Sequence, residues 1–284
     1  MKRFSFTKMS GAGNDFILFD KKINPDIELT TQNIAKMCER HTGIGADGVL
    51  LISDLKNFAF EMNYFNADGT TGSLCGNGAR CAIKYGNESG RISNDKISFL
   101  ANGVEYYGQL LDNGLVKFFL DRPQKMKQNF MIKAWNQLIP ASFVNTGSPH
   151  VVIKFNDVLR NPADPNSYYD DLDTFPVYEL GREIRYHKDF APHGTNVNFI
   201  SIHDGQVDIR SYERGVENET LSCGTGTVAA ALLVFVKENF NPPLKLHQKS
   251  GDVLMVDFKI KDQKVQELSL TGPAKIIFNG EITI

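Results

Sequence analysis

Short apolar-rich runs of strand length recur along this chain. In the first half RFSFTK (3–8), GVLLIS (48–53), FEMNYF (60–65), KISFLA (96–101) and LVKFFLD (115–121) read as strands. In the second half VVIKF (151–155), NVNFISIH (196–203), VDIRSYE (207–213), DVLMVDF (252–258) and AKIIF (274–278) do the same. Several alternate apolar with polar residues, as strands with one face on a core do. Helical spacing is rarer. TTQNIAKMCERH (30–41) opens on a threonine suited to cap a helix and stops before Gly43. VYELGREIRYH (177–187) predicts a second helix, and the segments that follow Cys75 and Cys223 predict two more. A strand ends and a polar stretch begins at Asp121-Arg122-Pro123, which marks a boundary.

The two halves echo each other. FNADGTTGSLCGNG (65–78) has a counterpart in YERGVENETLSCGTG (212–226). Each runs from an aromatic and a polar residue through a glycine-containing loop to Cys-Gly-x-Gly and a helix. Glycine disfavours helix, so its repetition at two helix starts calls for a physical reason. A helix N-terminus exposes unpaired N–H groups and the positive end of the helix dipole. It can hold a carboxylate, and it lowers the pKa of a thiol placed there. Without Cβ atoms, Gly76, Gly78, Gly224 and Gly226 let a ligand approach the backbone. Two such units facing one another would grip a carboxylate and set Cys75 and Cys223 on either side of the adjacent carbon. A thiolate on one side removes a proton and a thiol on the other returns one, which inverts the centre. The N–H donors stabilise the enolate character of the transition state.

Composition narrows the choice. With 284 residues, 42% hydrophobic and 23% charged, the chain suits an ordinary soluble protein of two domains or lobes. The formal charge of -2 and the lack of a Lys/Arg run point away from nucleic acid and membrane surfaces. MKRFSFTKMSG has no apolar core for a secretory signal, and the longest apolar stretch, VAAALLVFV (228–236), is too short to span a bilayer. A cytoplasmic location is the expectation. The four cysteines, Cys38, Cys75, Cys81 and Cys223, make no disulfide framework. No CxxC or HxxxH occurs, and Cys75 and Cys81, six apart, fall on different helix faces, so no metal is expected. Cys38 and Cys81 lack the Gly-x-Gly context and read as structural. Neither glycine loop is followed by Gly-Lys-Ser/Thr, and no dinucleotide fingerprint stands out, so no cofactor is expected.

In order along the chain, MSGAGNDFILFD (9–20), HTGIGADG (41–48), FNADGTTGSLCGNGARC (65–81), TGSPH (146–150), NVNF (196–199), YERG (212–215) and SCGTGT (222–227) together resemble the diaminopimelate epimerases. The resemblance implies an α/β (α+β) fold of two pseudo-symmetric lobes. Each lobe is a β-barrel-like sheet wrapped around a central helix, with the active site in the cleft between them. The lobes would be residues 1–122, completed by the C-terminal strand at 273–284, and residues 123–272. The implied activity is interconversion of LL- and meso-2,6-diaminoheptanedioate without pyridoxal phosphate, in lysine and peptidoglycan precursor synthesis, by a homodimer. Cys75 and Cys223 match the catalytic cysteines, and Gly76-Asn77 and Gly224-Thr225 match the backbone donors for the carboxylate. Asn14, Asn66, Asn196, Glu213 and Arg214 match substrate-binding positions. Arg214 can clamp the distal carboxylate, while the Asn carbonyls and Glu213 can accept from the ammonium. His150 and Glu213 match positions that tune the two thiols. Three features depart from the family pattern: Ser148, at a substrate-binding position, and Gly48 stand where many members carry Asn and Gln, so the Ser148 contact would be shorter or carried by water, and GVENETLS (215–222) is one residue longer than the commoner form. Two rival readings are a proline or hydroxyproline racemase or epimerase, and a non-catalytic small-anion receptor. The first leaves Asn66, Glu213 and Arg214 without a distal amino-acid group to bind, and the second needs no paired thiols.

Overall fold

Residues 2–72, 74–92 and 96–284 are described by a computed structural model, in which the backbone divides into two units. One comprises the chain up to Leu120 with Thr271–Ile284, the other Asp121–Leu270. The first unit opens with β1 (Arg3–Gly11), β2 (Asn14–Asp20), α1 (Thr31–Cys38), β3 (Gly48–Ser53) and β4 (Glu61–Asn66). It continues with α2 (Gly76–Glu88), β5 (Ile97–Ala101), β6 (Val104–Leu110) and β7 (Val116–Phe119). Strands β1 and β2 are antiparallel, β2 and β3 parallel across a crossover that carries α1, and β3 and β4 antiparallel. Strands β4 and β5 are parallel across the crossover that carries α2, and β5 to β7 form an antiparallel meander.

The second unit repeats this order. Its elements are β8 (Lys125–Ala134), β9 (Gln137–Asn145), β10 (Pro149–Lys154), α3 (Val177–Arg185), β11 (Asn196–His203) and β12 (Gln206–Glu213). Then come β13 (Asn218–Thr220), α4 (Gly224–Glu238), β14 (Leu244–Gln248), β15 (Val253–Lys261) and β16 (Lys264–Gly272). Strands β9 and β10 are antiparallel, β10 and β11 parallel around α3, and β11 and β12 antiparallel. Strands β12 and β14 are parallel around α4, and β14 and β15 antiparallel. The last strand, β17 (Lys275–Thr283), pairs antiparallel with β1 in the first unit. The sequence echo is therefore an echo of connectivity, in which α2 and α4 hold equivalent places.

Burial explains why the two helices differ from surface helices. Along β2 and β3, Phe16, Leu18, Leu50 and Ile52 pack with Ala79, Ala82 and Ile83 of α2. The alternate residues Ile17, Phe19, Val49 and Leu51 pack with Ile34, Met37 and Cys38 of α1. Both strand faces are covered, which requires unbroken apolar runs rather than alternation. In α4 every residue from Thr227 to Val234 is buried, and the helix lies against β9, β10, β11, β12, β14 and β15. A helix that is apolar all round belongs inside a sheet layer. Outside that layer α3 buries Val177, Leu180 and Ile184 against Val151, Ile153, Val197, Phe199 and Tyr212.

Among the described residues seven strands lie beyond the segments that read as strands in the sequence: β2, β6, β8, β9, β13, β14 and β16. In β2 the pattern is lost because both faces are buried. Much of β8 is exposed along its length, so it carries no apolar face to read. The helix predicted over 30–41 stops at Cys38, capped at its start by Thr30 Oγ1 on the Asn33 N–H.

Candidate active site

Cys75 is the N-cap residue of α2, with extended backbone angles (φ -100, ψ 117) and no side-chain capping bond. Its loop neighbour Ser73 lies outside the described residues. The Cys75 sulfur lies 3.5 Å from Asn14 Oδ1. The Asn14 amide is turned that way by its other end, since Nδ2 donates to Asp47 Oδ2 at 2.5 Å. Asp47 is held by Arg40 at 2.7 Å, and Arg40 also reaches Asp15, which Lys8 approaches at 2.7 Å. Burial and the neighbouring Asp15 charge push the Asp47 carboxyl up. Asn77, buried in the first turn of α2, offers Nδ2 to the same Asn14 Oδ1 at 3.5 Å. Its own Oδ1 accepts from the fully buried Arg80 guanidinium at 2.9 Å. Asn66, at the end of β4, donates through Nδ2 to Thr70 Oγ1 at 3.0 Å. Gly48, opposite Asn66 in the β3–β4 register, has no room for a side chain, because a Cβ would meet Phe65 O and the Tyr64 ring.

The second unit builds a matching corner. Cys223 is the N-cap of α4, again extended (φ -116, ψ 107) and without a capping bond from its side chain. Its sulfur lies 3.8 Å from Thr225 Oγ1. The Thr225 hydroxyl is 2.9 Å from His150 Nε2 and 3.3 Å from Ser148 Oγ, and Ser148 Oγ is 2.9 Å from the same Nε2. Glu213, at the end of β12, hydrogen-bonds the Cys223 side chain and accepts from Thr220 Oγ1. Asn196 ties two strand ends together: Nδ2 donates to Pro149 O at 2.9 Å, and Oδ1 accepts the Arg214 N–H at 2.9 Å. Arg214 Nη1 rests 3.5 Å from His193 O. The strand period puts His150, Asn196 and Asn198 on one face of β10 and β11, facing the start of α4, with Val152 and Ile200 deeper along the same face.

Two sequence expectations are corrected. A helix N-terminus lowers a thiol pKa when solvent is near, yet Cys223 is pushed well up. Burial is the largest cause and the Glu213 charge the next; together they outweigh the Gly226 N–H and the Thr225 hydroxyl, which act in the opposite sense. Burial and the Glu213 carboxylate thus both favour the thiol form of Cys223 over the thiolate. The glycines differ too. A Cβ at Gly78 would sit 3.2 Å from Leu50 Cδ2. At Gly226 it would run into Asn198 Oδ1 and lie 3.1 Å from Cys223 Sγ. At Gly226 the missing Cβ makes room for the protein's own Asn198 side chain, whereas at Gly78 a Cβ would only press on the end of Leu50.

His150 is fully buried and pulled down to about 3, first by burial and then by the Arg214 charge, so it is neutral at physiological pH. Burial pushes Cys38 up to about 11 and Cys81 up to about 12, which leaves both thiols inert. Sequence reading missed Asp47, Arg80 and Asn198, which orient residues already singled out. The available signal was weak: polar residues inside otherwise apolar strands and helices.

The diaminopimelate epimerase family model matches residues 6–125 and 142–277. A diaminopimelate epimerase of Chlorobaculum tepidum is 39% identical over 279 residues, covering 97% of this chain and all of that protein. One from Aquifex aeolicus is 34% identical over 290 residues, covering 98% of this chain and 97% of that protein. Among solved structures, a phenazine biosynthesis protein of the PhzF family from Bacillus anthracis aligns over the whole of both chains with a TM-score of 0.72 at 16% identity, a likeness of fold alone. With matched segments that contain both Cys-Gly-x-Gly helix starts and relatives aligned over nearly its full length, the chain belongs to the diaminopimelate epimerase family.

Proposed function

We propose that this chain interconverts LL- and meso-2,6-diaminoheptanedioate, a step toward lysine and peptidoglycan precursors, by a two-base reaction of Cys75 and Cys223. The observation that carries the reading is the pair of topologically equivalent units, each with a cysteine at the N-cap of its central helix. Family membership supplies the substrate.

In this mechanism one sulfur, as thiolate, takes the α-proton while the other, as thiol, delivers a proton to the opposite face. Glu213 accepts the Cys223 proton when that residue serves as the base, and the His150–Thr225 chain supports the resulting thiolate. The backbone N–H groups at Gly76-Asn77 and Gly224-Thr225 hold the α-carboxylate, where negative charge grows. Arg214 binds the distal carboxylate, and Asn14, Asn66, Asn196 and Glu213 receive the ammonium groups. Asn14 also lies against the Cys75 sulfur, so the same carbonyl can sense both substrate and thiol. Ser148, shorter than the Asn common in the family, reaches the substrate less far and instead joins the His150 hydroxyl cluster. The proposed setting is a cytoplasmic homodimer; no helix among the described residues is long and apolar enough to cross a membrane.

Turnover in deuterium oxide tests the reaction. Starting from either LL- or meso-substrate, the product is expected to carry one solvent deuterium at the inverted α-carbon, seen by mass spectrometry. Proline under the same conditions is expected to gain none. Deuterium in proline but not in diaminoheptanedioate would overturn the substrate assignment, and tight binding of diaminoheptanedioate without exchange at any carbon would overturn the reaction.

A further inference from the structure

We infer that Asn198 is a positioning residue that fixes His150 as the neutral Nε2–H tautomer, so that His150 acts on Cys223 as a hydrogen-bond donor and not as a base. The inference deepens the reading of Cys223 as an acid–base group and rests on it for its catalytic consequence.

The argument runs through proton inventory. Asn198 is fully buried in the middle of β11. One of its polar ends faces Val151 O at 2.9 Å and His150 Nδ1 at 3.2 Å. A carbonyl can only accept, so this end is the NH2 group. The other end, Oδ1, accepts from Ser211 Oγ at 2.9 Å. With both ends settled, the amide cannot turn over. Nδ1 of His150 therefore receives a hydrogen bond and carries no proton, and the single proton of the neutral ring sits on Nε2.

The polarity then propagates outward. Nε2–H faces Ser148 Oγ and Thr225 Oγ1, both at 2.9 Å. Neither hydroxyl can donate to a nitrogen that already bears hydrogen, so each gives its own proton elsewhere. Thr225 Oγ1 has the Cys223 sulfur 3.8 Å away. Its other acceptor in reach is Ser148 Oγ at 3.3 Å, and as charge grows on the sulfur the Thr225 O–H turns to it, so the chain Asn198 to His150 to Thr225 favours the thiolate as it forms. A ring protonated on Nδ1 would reverse this, drawing a hydroxyl proton toward Nε2 and away from sulfur. Gly226 belongs to the same device. Only a residue without Cβ leaves Asn198 Oδ1 its place beside the first turn of α4. The two elements that fix the tautomer and the thiol therefore fit together at one point.

Nitrogen-15 NMR of the histidine-labelled full chain tests this, with the His150 signals assigned by their loss in His150→Gln. In the unsubstituted protein near neutral pH, Nε2 is expected to show the shift of a protonated nitrogen and Nδ1 that of a bare one. Asn198→Asp offers a carboxylate that can only accept, so the proton is expected to move to Nδ1. Its turnover is expected to fall about tenfold or more, within the range of general acid–base effects, with KM changed less than about twofold. A proton on Nδ1 in the unsubstituted protein, or a tautomer unchanged in Asn198→Asp, would overturn the inference. If that variant does not fold, the spectrum of the unsubstituted chain decides alone. Because the tautomer is read without substrate, its result is separate from the deuterium experiment on the reaction itself.

Discussion

Replacing either Cys75 or Cys223 with alanine is expected to lower turnover by about a thousandfold or more, at the upper part of what general acid–base groups contribute. In the proposed reaction each sulfur is the base in one direction and the acid in the other, so neither variant would keep a working direction. The losses have a further signature. A variant with one sulfur can still remove and return a proton on that sulfur's face. Cys75→Ala and Cys223→Ala are therefore each expected to exchange the α-hydrogen of one stereoisomer with solvent, and to choose opposite isomers. Unfolding or a blocked site would not give that split. A variant with turnover within tenfold of the parent would remove its cysteine from the mechanism. Both cysteines are N-cap residues with extended backbone angles that alanine also adopts, so the helix starts are expected to persist in both variants, which circular dichroism checks.

The largest effect on stability is expected at Asp20, far along β2 from Asn14. Its carboxylate takes two bonds from Arg91, each 2.8 Å, and a third from Tyr85 Oη at 3.0 Å. The side chains of Arg91 and Asp20 are only 6% and 3% exposed, so the pair is buried and not a surface bridge. Removing one partner leaves a buried charge behind, at a cost of about 3 kcal/mol or more. Arg91 keeps Asp54 as a second partner at 2.7 Å, which sets the expectation at the lower end of that range. Asp20→Ala is expected to lower the melting temperature by about 8 °C, read by circular dichroism, with kcat of the folded protein unchanged. A shift below about 2 °C would show that the carboxylate contributes little to holding this corner.

Much of the architecture was legible because local patterns and tertiary burial agree. GVLLIS, NVNFISIH and VDIRSYE are strands where their composition places them. The two Cys-Gly-x-Gly segments do begin helices, and the helices start at the glycine after each cysteine. What stayed hidden depends on distant partners. FILFD in β2 has no period because one face meets α2 and the other α1. The Cys223 thiol could not be read from its helix position alone, because Glu213 arrives from the end of another strand and burial reverses the sense of the helix terminus. The second asparagine of NVNF looks like the first in sequence. In the fold Asn196 ties Pro149 O to the Arg214 N–H, while Asn198 orients His150. Gly226 illustrates the same limit: its missing Cβ suggests an approaching ligand, and the neighbour that uses the space is Asn198.

The central claim is that two thiols, one from each unit, address a single carbon. A crystal structure of the reduced protein with diaminoheptanedioate bound measures this directly. The account predicts the sulfurs of Cys75 and Cys223 on opposite faces of one α-carbon, each at roughly the 3.5 Å of a reactive contact. A bound substrate with only one sulfur, or neither, within reach of that carbon would contradict it.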